Sequence, residues 1–551
     1  MAADAAPPIE AFDVVVVGSG FGGSVTACRL AEAGRRVLLL ERGRPYPPGS
    51  FPRTPREVRT DGFWRPADGL YGLWETWGFP GLGAVVSSGL GGGSLIYANV
   101  ALRKDPATFA DDETERWPVT YADLEPHYER VEAMQGVGPY PADREPYAST
   151  PKTNAILDAA ARAGLDAFRP PHAVSFAPDG EAPGAPLRDA PNVHGAQRFA
   201  CRLCGECIVG CQFGAKNTLD HTYLSAAQRA GAAIRCCCDA RLLAPDGDSG
   251  WTVRYRQHLS AKPGLRADLL DPTDAPEREV RARQVVLAAG ALGSTRLLLA
   301  NRASLPGLSP RLGTGFSGNG DLLFFVRGAD RALDPSKGPT ITASARVDDR
   351  HSGSGREFLL QDAGAPVATE WLWQGREAPE DLWRLRHTLW RRLKARLRGN
   401  LDTGTGAVLS EALGTTRESA AMLPLLGMGR DVPGGRMTLR GDTLQVSWND
   451  RESREFYAAM EATARALCGA LGGRMWRPGG RLARLTTVHP LGGCPMGTGP
   501  HDGVVDAFGR VFGADGLYVA DGAIMPGPVG ANPSLTIAAM AERIAAEMVA
   551  R

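Results

Sequence analysis

The chain has 551 residues, 43% hydrophobic and 22% charged, with a net charge of +1 at pH 7. That balance belongs to a globular protein with a large core and excludes a disordered chain; the near-zero charge argues against a nucleic-acid binder, which carries a basic excess. No run approaches the roughly 18 apolar residues of a spanning helix, and the opening MAADAAPPIEAF lacks the basic-then-apolar order of a secretory signal, so a cytoplasmic location is expected and the ten cysteines are read as thiols or metal ligands.

After a flexible start over 1–11, FDVVVVGSGFGGSVTACRLAEAGRRVLLLERG reads as strand, turn, helix, strand. Val14 to Val17 form a continuous apolar run, as in a parallel strand buried on both faces. In the turn Gly18-x-Gly20-x-x-Gly23, Gly18 permits the tight bend, Gly20 admits a pyrophosphate and Gly23 lets helix and strand pack closely. Phe21 and Gly22 open a helix whose unpaired N–H groups face phosphate. Glu41, followed by Arg42, ends the second strand, where a carboxylate accepts ribose hydroxyls and repels a 2′-phosphate. A dinucleotide site follows; these residues leave FAD and NAD open.

GLGGGSLIYANV (89–100) is a second glycine-rich loop, with Gly91, Gly92, Gly93 and Ser94. FACRLCGECIVGCQFGAKNTLD then places Cys201, Cys204, Cys207 and Cys211 in a C-x2-C-x2-C-x3-C run. This is the spacing of an iron–sulfur ligand loop, with Gln212 where the bacterial pattern has proline. A cluster acting as an electron outlet is the expectation; reduced thiols, a disulfide pinning the loop and zinc are the alternatives. CCC at 236–238 offers further thiols at the end of a predicted strand. GEAPGAPLRDAPN (180–192) reads as a loop and KPGLRADLLDPTDAPERE (262–279) as a surface insertion.

VVLAAGALGSTRLLL (285–299) repeats the strand–turn–helix pattern around Ala289 and Gly290. FLLQDAG reads as a strand and DTLQVSWNDRES as a sheet edge, with Asp362 and Glu370 as acidic candidates for a second pocket base. EDLWRLRHTLWRRLKARLRG (380–399) predicts an amphipathic, basic helix that packs on its own domain or rests on an anionic membrane. Near the C-terminus His489 lies on a Gly/Pro-rich turn, a place suited to a projecting base. LYVADG predicts a strand running to Asp521 and Gly522. Pro533 and Ser534 then open a helix to about 549, with Asn532 at its cap position.

VVVVGSGFGGS, GLGGGSLIYANV, VVLAAGALGSTRLLL, LGTGFSGNGD, VHPLGGCPMG and GLYVADGAIMPGPVGANPSLTIAAMAERI span nearly the whole chain. In that order they resemble the glucose–methanol–choline (GMC) oxidoreductases, most closely the cholesterol-oxidase-like branch. The resemblance implies FAD as cofactor and an α/β fold in which a Rossmann-like FAD-binding domain interleaves with an α+β substrate domain built on an antiparallel sheet. The FAD pieces would be 12–46, 82–104, 196–320 and 486–551; the substrate pieces 47–81, 105–195 and 321–485; the cysteine insert 201–211. The loop 89–100 would wrap the flavin edge, and the last helix would aim its N-terminus at the flavin pyrimidine. His489 would accept the alcohol proton as hydride leaves for flavin N5, and Asn532 would orient the substrate oxygen.

A bulky apolar, sterol-like alcohol is the implied substrate, with dioxygen, a quinone or an acceptor protein taking the electrons. Some flavin dehydrogenases of the wider family hold an iron–sulfur cluster at the place of the cysteine run. A sugar or polyol dehydrogenase with such a relay is therefore the second reading, and a non-catalytic electron-transfer partner the third.

Overall fold

The structure, a computed structural model, describes residues 9–109, 115–247, 250–258, 275–348, 355–364, 422–477 and 485–551. Glu370 and the predicted basic helix 380–399 lie outside the described residues, as does most of the predicted insertion 262–279.

Strand β1 (Glu10–Val17), helix α1 (Phe21–Glu32) and strand β2 (Val37–Leu40) follow the order read from the N-terminus. The strand begins earlier than expected, with Glu10 and Ala11 paired to Val280 and Arg281. Val14 to Val17 and Val37 to Leu40 are all buried, each such side chain contributing roughly 1.5–3 kcal/mol relative to exposure. Burial on both faces is why the runs are continuous rather than alternating.

In the main sheet, Ala233–Arg235, β2, β1 and Glu277–Leu287 lie side by side in parallel. The long last strand splits its far edge: residues 277–282 pair antiparallel with Gly250–Gln257, and Val285 to Leu287 pair in parallel with Leu517–Val519. Val17, Leu40, Leu287 and Val519 therefore end at one side of the sheet, where the crevice beyond the carboxyl ends binds ligands in such folds. The C-terminal helix Ser534–Ala550 packs its apolar residues into the same core as α1. Arg29 and Glu542 join the two helices by an ion pair of 2.8 Å.

A second, antiparallel sheet has the order Arg474–Trp476, Leu322–Arg327, Leu423–Gly429, Phe358–Asp362, Ser344–Val347, Asp166–Phe168. Helices Pro151–Arg162 and Arg454–Ala470 cover it through Ile156, Phe456, Met460 and Leu467. Thr443–Ser447 is the edge strand of a separate three-stranded sheet. The turn 317–321 joins Thr314–Phe316 of that small sheet to Leu322–Arg327 of the large one.

Candidate functional site

The glycine turn after β1 divides its residues by what surrounds them. A Cβ at Gly18, Gly22 or Gly23 would meet backbone at 2.4, 1.7 and 2.0 Å, so these positions seal α1 against the sheet. A Cβ at Gly20 would meet nothing closer than 4.0 Å, and at Gly93 or Gly290 nothing within 4 Å. Open space beside exposed backbone is what a dinucleotide needs. The second glycine loop rests on the first: a Cβ at Gly92 would lie 2.6 Å from the Gly20 Cα, and the Gly91 N–H donates to Ser19 Oγ at 3.0 Å. Ser94 Oγ donates to the Gly91 carbonyl at 2.7 Å and accepts from the Leu219 N–H at 3.1 Å.

Glu41 Oε2 accepts from the Ser19 N–H at 3.0 Å and its hydroxyl at 2.5 Å, while Oε1 accepts from the Gly43 N–H at 2.8 Å. Burial pushes this carboxyl above the usual range, and the Ser19 and Gly43 bonds oppose it. Arg42 pairs with Glu75 at 2.5 Å and lies over the Trp64 ring. Asp521 ties the other strand ends together: Oδ2 accepts from the Gly290 N–H at 2.8 Å and Ser294 Oγ at 2.5 Å, and Oδ1 from the Ala523 N–H at 2.8 Å. Burial lifts its carboxyl to about 6. Ala289 donates its N–H to Ser294 Oγ at 3.0 Å, and the Gly522 carbonyl accepts from the Gly492 N–H at 2.9 Å. These residues, on four strand ends, fit a dinucleotide such as FAD.

His489 and Asn532 come from separate loops, and one turn anchors both. Asn319 Oδ1 accepts from the N–H groups of Val529 and Gly530 at 3.0 Å each, and its Nδ2 donates to the Ala531 carbonyl at 2.9 Å. Two residues on, Asp321 Oδ1 lies 2.8 Å from His489 Nδ1. Ser317 exchanges two backbone hydrogen bonds with Leu491, at 3.1 and 3.0 Å. Beneath the turn, buried Asp431 accepts from Ser317 Oγ and from the Gly318 N–H.

Two local expectations are corrected here. Asn532 is not the helix cap: Pro533 occupies that position without a side-chain bond, and the Asn532 amide pairs with Gln361 instead. Asp362 is not a pocket acid, because it is buried in an ion pair with Lys152 and accepts from the Thr342 and Ala343 N–H groups at 2.7 Å. Sequence reasoning missed Asp321 and Gln361, whose partners are distant in the chain. It also missed Asn99, fully buried at a φ of 68°. Its amide nitrogen and oxygen have no partner among the described residues, although the unpaired groups stand at the end of a loop it did single out.

The iron–sulfur expectation finds no support among the described residues. Cys201, Cys204, Cys207 and Cys211 line one cavity, together with Val174, Phe213 and Ala215. Among the described residues no three His, Cys, Asp or Glu side chains are arranged to hold a metal ion. Burial raises the Cys201 and Cys204 thiols above the usual range. Cys237 packs with Trp64 and Tyr71, whereas Cys201 and Cys211 pack with Val174 and Ala215, so the run 236–238 adds no ligand.

Ordinary bonds hold the cysteine loop. Arg53 donates to Glu206 at 2.9 Å and to the carbonyls of Val209 and Gly210 at 2.8 and 2.5 Å. Gln212, at the position of the missing proline, both accepts from and donates to the Phe51 backbone at 3.1 and 2.7 Å.

Comparison with known proteins agrees with this geometry. Family profiles described as GMC oxidoreductase match residues 190–308 and 434–541, and one described as an NAD(P)-binding Rossmann-like domain matches 16–49. A cholesterol oxidase of Mycobacterium tuberculosis is 33% identical over 97% of this chain and 90% of its own length. A cholesterol oxidase of Acinetobacter baumannii is 30% identical over 97% and 93%. The crystal structure of pyridoxine 4-oxidase from Mesorbium loti superposes with a TM-score of 0.59 at 20% identity, covering 98% of this chain and 99% of that one.

Proposed function

The chain belongs to the GMC oxidoreductases, FAD-dependent enzymes acting on alcohols, and from that premise we propose that it oxidises the CH–OH group of a bulky, apolar, sterol-like alcohol, with His489 as the base and Asn532 orienting the substrate oxygen. Bound FAD supplies the hydride acceptor. His489 takes the hydroxyl proton, so that charge does not build up on the carbonyl as it forms. Asn532 holds the oxygen and limits the approach of the carbon to one geometry. Gly18, Gly20, Gly23, Glu41, Gly91, Gly92, Gly93, Ser94, Ala289, Gly290, Asp521 and Gly522 would hold the cofactor, with Phe21, Gly22, Arg42, Pro533 and Ser534 beside them.

The observation that carries this reading is the turn 317–321, which anchors the Asn532 loop through Asn319 and His489 through Asp321. Two loops from different parts of the chain are thereby held to one short segment, as a two-residue proton-transfer and orientation pair requires. The sterol class rests on the two cholesterol oxidase relatives, and their oxidase names favour dioxygen as acceptor. The net reaction is then alcohol plus dioxygen to ketone plus hydrogen peroxide. No observation among the described residues favours the iron–sulfur relay of a polyol dehydrogenase.

The test is anaerobic mixing of the purified holoenzyme with cholesterol dispersed in detergent, and separately with sorbitol. Bleaching of the flavin band by cholesterol alone, with peroxide released on admitting air, is expected. Bleaching by sorbitol and not by cholesterol would overturn the substrate class.

A further inference from the structure

His489 Nδ1 lies 2.8 Å from Asp321 Oδ1 and 3.1 Å from Oδ2. Asp321 is buried, its side chain 2% exposed, while the imidazole keeps 17% exposure. The other carboxylate oxygen is already committed: Oδ2 accepts from the Val488 N–H at 2.8 Å and from Thr487 Oγ1 at 3.0 Å. We infer that Asp321 is the positioning residue of His489, holding the imidazole in the tautomer that carries its proton on Nδ1 and leaves Nε2 free to accept the substrate proton. This rests on reading His489 as the base. A carboxylate only accepts hydrogen bonds, so the nitrogen facing it must donate. The imidazolium formed after proton transfer would then have a negative partner at hydrogen-bond distance.

A merely structural role, anchoring the chain at 487–488, makes a different prediction for one substitution. In Asp321→Asn the Val488 N–H still needs an acceptor, so the amide oxygen turns to it and the anchor survives. The NH2 group then faces His489 Nδ1, which must accept. The imidazole proton moves to Nε2, the wrong nitrogen for a base. Positioning therefore predicts a silenced base in a folded protein; anchoring predicts an unchanged enzyme.

The experiment uses holoenzyme labelled with 15N-histidine, the His489 signals being identified by their loss in His489→Gln. Wild type should show Nδ1 protonated, and Asp321→Asn should show Nε2 protonated. Stopped-flow flavin reduction by cholesterol in detergent should fall by about 10²–10⁴-fold in the limiting rate, with the apparent Kd changing only a few-fold and Asp321→Glu recovering part of the loss. Wild-type protein protonated on Nε2, or Asp321→Asn with wild-type tautomer and rate, would overturn the inference. Because the wild-type tautomer is itself decisive, a variant that fails to fold leaves the test standing. His489→Ala separates the two readings: fast reduction there removes the base assignment, whereas a slow His489→Ala beside a normal Asp321→Asn removes only the role of Asp321.

Discussion

Gln361 and Asn532 meet in a reciprocal amide pair: Gln361 Nε2 donates to Asn532 Oδ1 at 3.1 Å, and Asn532 Nδ2 donates to Gln361 Oε1 at 3.3 Å. The second Gln361 N–H is held by Ser344 Oγ at 2.9 Å, so the pair cannot swivel freely. Asn532 is left with one N–H and one lone pair for a ligand. Gln361→Leu keeps the volume and removes both bonds. At roughly 0.5–1.5 kcal/mol per bond, the limiting rate of flavin reduction should drop about 10-fold with FAD content unchanged. An unaltered rate would mean that Asn532 needs no such partner.

His489→Ala should lose about 10²–10⁴-fold in flavin reduction by a verified substrate, with the visible flavin spectrum intact. The loop itself is secured through Leu491 and Thr487 rather than through the imidazole. Near-normal reduction in this variant would end the proposed mechanism.

Glu41 already receives three bonds from Ser19 and Gly43, so replacing it disturbs the turn as well as the ribose site. Hydrogen bonds to a charged group contribute about 1.5–3 kcal/mol. Glu41→Gln should therefore weaken FAD binding roughly 10- to 100-fold in reconstitution titrations, and Glu41→Arg should weaken it further by placing a bulky donor there. Full flavin occupancy in purified Glu41→Arg would show that the carboxylate does not face the cofactor.

The cysteine loop should bind no iron. Protein purified anaerobically from an iron-supplemented culture should contain flavin without stoichiometric iron or acid-labile sulfide, and ten thiols should titrate after denaturation, matching the ten free cysteines. Cys204→Ser should change stability alone. One iron–sulfur cluster per flavin would reinstate the ligand-loop reading.

Asp431 supplies a pH dependence. Burial lifts its carboxyl to about 7, against the bonds from Ser317, Gly318 and Gly320. An acid with a raised folded pKa binds its proton more tightly in the native state, so its contribution is complete below the ordinary carboxylate range and is lost as pH rises toward about 7. The Tm of the wild-type holoenzyme should therefore fall more steeply than that of Asp431→Asn between about pH 5 and pH 8. Parallel curves would show that Asp431 is ionised in the fold throughout.

Nearest-neighbour logic made the dinucleotide end legible. Gly18, Gly20, Gly23 and Glu41 act within one strand–turn–helix–strand unit, so their spacing alone implied the tight bend, the open approach and the terminal carboxylate that the fold shows. The same logic misassigned Asn532, because a helix-cap preference is local whereas its partner Gln361 is 171 residues away. Asp362 and Gln361 show the limit most sharply. Adjacent strand residues point to opposite faces, so one meets Lys152 and the other Asn532. Which face belongs to which follows from the pairing of Phe358–Asp362 with its neighbours.

The cysteine spacing matched a ligand loop, yet spacing measures distance along the chain. The volume enclosed and the burial of the thiols depend on what packs around them. Local turn chemistry thus determined the dinucleotide end, and the resemblance of the motifs in chain order implied the family and its fold. The partners of His489 and Asn532 were decided only when the turn 317–321 and the strand Phe358–Asp362 met loops from the far end of the chain, because a hydrogen bond is set by separation in space and not in sequence.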